Sequence, residues 1–208
     1  KKVRIQWPNH GFEGCRTERI ANARNAILKE VYTNYADWDF FIMMDTNDYS
    51  CVTKIDTSVL DEYLTRKDWD ALSFNRDPYY DIWALSFSPF LSSCWHFEKA
   101  LQTIDRTKSA FIAKLKSIKD HQLLEVESAF GGFAIYRTNK FDGCYYNGKF
   151  DGGLFTSIQY IRNTEAAGSK LLMRQIGDCE HRAFHMMAKK NNKAKIMVSP
   201  KKLFPHAV

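Results

Sequence analysis

Residues 37–48 read Asp37-Trp38-Asp39-Phe40-Phe41-Ile42-Met43-Met44-Asp45-Thr46-Asn47-Asp48. Five large apolar side chains stand in a row between two acidic, turn-forming segments. Such a run is too short for a helix, and its lack of alternation predicts a strand buried on both faces. Strands of that kind belong to sheets covered by helices on both sides. In such sheets ligands bind beyond the carboxyl ends of the strands. The oxygen-rich segment Asp45-Thr46-Asn47-Asp48 stands at such an end.

The flanking sequence continues the rhythm. Upstream, Ile20, Ala23, Ile27, Val31 and Tyr35 recur at spacings of three and four, which predicts an amphipathic helix from Thr17 to about Tyr35. A short strand over Val3–Trp7 precedes it. Downstream, Asp56 or Thr57 caps a second helix to about Lys67, with Val59, Leu60, Tyr63 and Leu64 inward. Asp70–Phe74 predicts a second buried strand, and Ile82–Phe87 a further one. Residues 88–106 read as irregular, and Lys108–Lys119 as an amphipathic helix. Phe133–Tyr136 follows the pair Gly131-Gly132 as a strand, and 142–153 is a turn region rich in Gly and Tyr. His181–Lys190 predicts a last helix and Ile196–Val198 a last strand. The expected fold is α/β: a mixed, mostly parallel sheet flanked by helices, in a single domain over 1–208.

Composition sets the bounds. The chain has 208 residues, with 45% hydrophobic and 26% charged side chains, ordinary for a folded domain. Fifteen Phe, ten Tyr and five Trp supply ample core material and exclude disorder as the main state. The longest apolar run, residues 40–44, falls far short of the roughly 20 residues of a membrane span. No secretory leader pattern is present, so a soluble protein in the cytoplasm or facing it is expected. The net charge of +6 suits an anionic small ligand without demanding nucleic acid. Its densest basic run, Lys189, Lys190, Lys193 and Lys195, reads as a solvated face. The five cysteines are widely spaced and odd in number, which fits reduced, mostly buried thiols better than a zinc module or a disulfide framework. The chain opens Lys1-Lys2-Val3-Arg4 without Met and reads as a piece of something longer.

Four clusters carry chemistry. Asp45, Asn47 and Asp48 offer hard oxygen ligands for Mg²⁺ or Mn²⁺, and a capped turn is the plainer reading. Arg16, Arg19 and Arg24 lie on or just before the first helix, where guanidinium groups suit phosphate; exposed helix charge is the alternative. Asp178-Cys179-Glu180-His181, with His185 one turn on, could supply an imidazole metal ligand and a carboxylate base, or simply start a helix. Gly131-Gly132 allows a close backbone approach, and Tyr79-Tyr80-Asp81-Ile82-Trp83 offers an aromatic and acidic surface for a sugar ring.

The order of these motifs resembles the nucleotide-sugar half of GT-A glycosyltransferases. The residues that carry the resemblance are Arg16-Thr17-Glu18-Arg19-Ile20-Ala21 with Ala23-Arg24-Asn25, a buried strand, and then Asp45-Thr46-Asn47. Tyr79–Leu85, Ser128–Gly132 and Cys179-Glu180-His181 with His185 extend it. They are similar to a subgroup that includes fungal capsule-type mannosyltransferases and small glycosyltransferase domains of large algal DNA viruses. The likeness covers about residues 14–200.

The resemblance implies a metal-dependent transferase using a UDP- or GDP-linked sugar and a glycan or other hydroxyl acceptor. Its donor half would span about 1–78 and its acceptor and catalytic half about 79–208. Asp45, Asn47 and His185 would hold Mn²⁺ or Mg²⁺, with His181 in reserve. Arg16, Arg19, Arg24, Asp45, Gly131 and Gly132 would bind the donor. Glu180 would act as base, with Asp81 bordering the sugar and acceptor; Asp178, Asp81 and Glu127 are the next candidates for the base. Position 47 is Asn where the family has Asp, and the family's first strand would lie before residue 1. Two other classes share these residues: a metal-dependent phosphoryl-transfer enzyme or nuclease, and a non-catalytic domain binding glycan or nucleic acid. The nuclease class would need a second cation about 4 Å from the first. The binding class would lose affinity steeply with salt.

Overall fold

The computed structural model describes residues 14–46, 54–172 and 177–204. The expected strand over Val3–Trp7, and Asn47 and Asp48, lie outside them. Along the described chain run α1 (Arg16–Asn34), β1 (Phe40–Met44), α2 (Thr57–Leu64), β2 (Ala71–Asn75), α3 (Ala100–Ser117) and β3 (Leu124–Glu125). Then follow β4 (Phe133–Arg137), α4 (Ser157–Ala167), α5 (Glu180–Asn192) and β5 (Ile196–Lys202). The fold is α/β, with one mixed sheet in the order β1-β4-β2-β5-β3.

The sheet is not mostly parallel. Strand β4 enters between β1 and β2 and runs antiparallel to both, and β3 runs antiparallel to β5. Only β2 and β5 pair in parallel. Strands β1, β2 and β5 nevertheless point the same way, so their carboxyl ends share one edge of the sheet.

Strand β1 also differs from its expected two-sided burial. Among the described residues it is an edge strand, and its side chains alternate in exposure. Phe41 and Met43 are buried, whereas Ile42 and Met44 are 52% and 41% exposed. The inner pair joins the larger core with Ala21 and Leu28 of α1, Phe111 of α3, Tyr136 of β4 and Phe184 of α5. Phe41 stacks on Tyr136 with ring centroids 4.9 Å apart. The opposite face of the sheet carries a second core, in which Tyr63 of α2 meets Trp69, Leu72, Phe74, Phe133 and Ile135. Helices thus cover both faces.

Helix α2 starts where its cap predicts: the Asp56 carboxylate accepts the Ser58 N–H at 3.0 Å. Leu64, expected inward, is 38% exposed. Helix α3 begins at Ala100 rather than Lys108, because Thr103 and Thr107 fill its first buried positions and hide the apolar face. Ile82–Phe87 is not a strand; Ser86 and Phe87 form only isolated bridges, to Ser128 and Phe90. That stretch is instead tied down by Arg182 of α5, which is 1% exposed. Its Nε donates to Ser86 Oγ at 2.8 Å and to the Leu91 carbonyl at 3.2 Å. Its Nη2 donates to the carbonyls of Trp83 at 2.8 Å and Leu85 at 3.3 Å. Its Nη1 pairs with Asp178.

Of the lysine run, Lys190, Lys193 and Lys195 are exposed, and Lys189 pairs with Glu127 at 2.9 Å. Cys94, Cys144 and Cys179 are free and buried, and Cys15 is free and exposed; Cys51 lies outside the described residues. Among the described residues no helix is long and apolar enough to cross a membrane.

Candidate functional site

Beyond the carboxyl end of β1 lies a cavity of about 510 Å³ between α1, the 80–83 loop, Phe130 and the first turn of α5. Its wall brings together Arg16, Arg24, Asp45, Asp81, Glu180 and His181, drawn from four distant stretches of chain. Tyr80, Trp83 and Phe130 form its aromatic sides.

Arg24 is the centre of the charge arrangement. Ala21, Arg24 and Leu28 share the buried face of α1, so helical spacing delivers the guanidinium inward. Its Nε donates to Glu180 Oε1 and its Nη2 to Asp45 Oδ1, each at 2.8 Å. The Phe130 ring lies beneath it, 4.7 Å from the guanidinium carbon to the centroid. Burial works against the charge, yet Glu180, with Tyr146 and Asp45, outweighs burial and raises the Arg24 pKa above its ordinary value.

Each carboxylate around Arg24 has a different situation. Glu180 opens α5, is 5% exposed, and gives Oε1 to Arg24. Asp45 is more open, with its side chain 32% exposed. Its backbone N–H donates to the Gly132 carbonyl at 2.9 Å, which fixes the strand end. Asp81 is partly buried, and its Oδ1 accepts a long bond of 3.3 Å from the Ala84 N–H. Burial pushes the Asp81 carboxyl up to about 6; Glu180 and Asp45 add to the rise, and the Ala84 N–H and Arg24 oppose it.

That shift has a definite sign. A carboxyl raised above its unfolded value of about 4 favours the folded state most when protonated. Its contribution is complete below about pH 4 and is lost as pH rises through about 6. Asp81→Asn, which cannot ionise, should therefore stabilise the protein relative to wild type at pH 8 and not at pH 4. The expected difference is about 1–2 kcal/mol after allowing for solvent at the open side. Urea melts of both proteins in EDTA at the two pH values check it; equal differences at both would refute the assignment.

The two histidines are placed differently from expectation. His185 does not line the cavity. Its Nδ1 lies 3.0 Å from Ser128 Oγ and its Nε2 3.3 Å from the Tyr136 hydroxyl, so both ring nitrogens face protein partners. Burial, with Lys189 and Arg182, pushes its pKa down to about 3. His181, the reserve candidate, is the one on the wall. It is 1% exposed and stacks on Phe130 with centroids 3.8 Å apart. Among the described residues neither of its ring nitrogens has a hydrogen-bond partner; Nε2 stands 3.6 Å from Glu180 Oε1. Burial, then Arg24 and His185, holds its pKa well below the usual imidazole value. The ring is neutral, with a lone pair to offer.

The remaining expected residues divide in two. Arg16 lines the cavity, its guanidinium carbon 5.8 Å from the centre of the Trp83 ring. Arg19 is exposed on α1 and is absent from the wall. Gly131 and Gly132, at φ +66° and +81°, shape the turn before β4 and are likewise off the wall. Asp178 is committed to Arg182, and Glu127 to Lys189. Phe130 and Cys179, which do line the cavity, were not expected there; their neighbours in sequence were the only signal.

Among the described residues, no three His, Cys, Asp or Glu side chains form a group able to hold a metal ion. Asn47 lies outside those residues. Among the described residues the wall offers a cation the Asp45 carboxylate, while the His181 ring borders the cavity with both nitrogens buried and unpartnered. Among the described residues, two guanidinium groups face three carboxylates on the wall.

No family model, no curated protein and no solved structure matches the chain.

Proposed function

We propose that the chain is a metal-dependent glycosyltransferase that moves a sugar from a nucleoside-diphosphate sugar to a hydroxyl acceptor. One observation carries the reading. A single cavity at the carboxyl edge of the sheet combines two guanidinium groups, a strand-end carboxylate, an imidazole unpartnered among the described residues and an aromatic side wall. Pockets of this volume suit ligands of nucleotide-sugar size.

In this reading Arg16, at the start of α1, meets the diphosphate, where the helix dipole also favours negative charge. Arg24 acts one layer deeper, fixing Asp45 and Glu180 in place. Asp45 and Asn47, with His181, would hold Mn²⁺ or Mg²⁺. A cation there supplies charge neutralisation for the departing diphosphate. Trp83 and Tyr80 would border the sugar, with Met43 and Phe130 as apolar lining of the cavity.

The test is a thermal-shift series with UDP and GDP, each with and without Mn²⁺. A nucleotide at about a hundred times its Kd should add about 2.7 kcal/mol of stability, and that gain should require the cation. Asp45→Ala should abolish the cation-dependent part while leaving the unliganded protein folded. Mn²⁺-dependent stabilisation that survives in this variant would refute the metal assignment. The absence of any nucleotide effect in wild type would refute the reading as a whole.

A further inference from the structure

Resting on that reading, a second question is which carboxylate takes the proton of the acceptor. An attacking sugar hydroxyl must shed its proton as its bond to the donor forms, and a positioned carboxylate can take it. Among the described residues three line the cavity: Asp45, Asp81 and Glu180.

Glu180 is poorly placed for the task. It is 5% exposed and its Oε1 is bonded to Arg24 at 2.8 Å. Its Oε2 lies beside the Cys179 thiol, 3.9 Å away. Its carboxylate is one of the two that compensate the buried Arg24 guanidinium. Asp45 also gives an oxygen to Arg24, and it stands at the proposed cation end. Asp81 is different. Among the described residues its one hydrogen bond is the 3.3 Å contact from Ala84 to Oδ1, which leaves Oδ2 without a partner. It stands on the same wall as Tyr80 and Trp83. Trp83 Nε1 is itself buried and has no hydrogen-bond partner among the described residues. An aromatic plane next to an uncommitted carboxylate lets a pyranose rest its C–H face on the ring while one hydroxyl reaches the acid.

The geometry points to Asp81 as the catalytic residue that accepts the acceptor's proton, and to Glu180 as a positioning residue that acts through Arg24. In the step, the acceptor oxygen bonds to the anomeric carbon of the donor. The bond from that carbon to the diphosphate oxygen breaks, and its electron pair leaves with the nucleoside diphosphate. The hydroxyl proton passes to Asp81 Oδ2 and from there to solvent. A single displacement of this kind inverts the anomeric configuration.

The experiment uses wild type, Asp81→Asn and Glu180→Gln with Mn²⁺. UDP-glucose and GDP-mannose serve as donor probes, with water and a set of methyl glycosides as acceptors. Turnover is read as released nucleoside diphosphate, and binding of UDP and GDP by calorimetry. Asp81→Asn should lower kcat about a hundredfold to ten-thousandfold while the nucleotide Kd stays within about threefold. Glu180→Gln should do the opposite, raising KM and the nucleotide Kd with kcat largely kept. Added formate should restore part of the turnover of Asp81→Gly, which a merely structural role would not allow. Asp81→Asn turning over within about tenfold of wild type, loss of its nucleotide binding, or a product of retained configuration would each overturn the assignment. A wild-type protein that neither binds nor turns over either donor fails differently, because it overturns the functional reading before any variant is compared.

Discussion

Arg24→Met is expected to destabilise the fold by about 3–5 kcal/mol, the range for removing one partner from a buried ion pair. The deficit should fall unevenly on the two carboxylates left behind. The Asp45 side chain is 32% exposed and can regain water, whereas the Glu180 side chain is 6% exposed and cannot. Adding Glu180→Gln to Arg24→Met should therefore recover much of the loss, while Glu180→Gln in the wild-type background is itself costly. Urea unfolding of the four proteins gives the coupling directly. Additive effects would show that Arg24 and Glu180 do not act as a pair. Arg24→Lys should rescue little, because one ammonium cannot reproduce two fixed bonds at the angle of the guanidinium. Nucleotide stabilisation should vanish with the methionine variant, since Asp45 loses the group that aims it.

Arg182→Met is expected to cost at least as much, about 3–5 kcal/mol, and by a different route. Residues 83–91 are mostly buried without a strand ladder, and three of their carbonyls, at Trp83, Leu85 and Leu91, accept from a side chain. Arg182 is that donor, and it neutralises Asp178 as well. Its loss removes the donor to the buried Trp83 and Leu85 carbonyls and the counter-charge of the buried Asp178 carboxylate. The same loop carries Asp81 and Trp83 into the cavity, so the damage should reach function. Hydrogen exchange should speed up across residues 80–92 before it does in β2 and β5. A variant within about 1 kcal/mol of wild type would show that the loop finds its bonds elsewhere.

The elements that can be read from sequence are those whose periodicity coincides with burial. Strands β2 and β4 announce themselves in this way, whereas α1 forms where expected but buries Thr17, Ala21, Arg24 and Leu28 and leaves Ile27 and Tyr35 of its expected apolar face 50% and 42% exposed. Helix α4 does not announce itself. Its apolar residues Ile158 and Ile161 are 63% and 58% exposed, while Asn163 and Ala167 take the buried positions. Asn163 faces inward because its Oδ1 accepts the Ser92 N–H at 2.8 Å, a contact across 71 residues that no local pattern encodes. The placement of β4 is of the same kind. Strand order depends on long-range pairing, so the run of buried strands indicates a sheet and leaves its directions open.

The cavity shows the same division. Asp45 and Glu180 are recognisable as candidates by residue type and by their place at a strand end and a helix start, and Arg24 and Asp81 by residue type within their motifs. Their roles are not, because a role depends on who already holds each oxygen or nitrogen. His181 and His185 stand one helical turn apart and look interchangeable in sequence. Ser128 and Tyr136 claim the second and leave the first unpartnered.

The interleaving of β4 has a consequence for biosynthesis. Strand β1 leaves the ribosome about 90 residues ahead of β4, its hydrogen-bonded neighbour in the finished sheet. At about 5–20 residues per second, that is a wait of roughly 5–20 seconds. Throughout it, Phe40-Phe41-Ile42-Met43-Met44 is a five-residue apolar window with strand character and no charge of its own, the kind of segment that recruits other chains. Asp37, Asp39 and Asp45 flank it on both sides. Besides what Asp45 does in the folded protein, these acids act as gatekeepers for a nascent chain whose most adhesive strand must stay solitary until its partner is made.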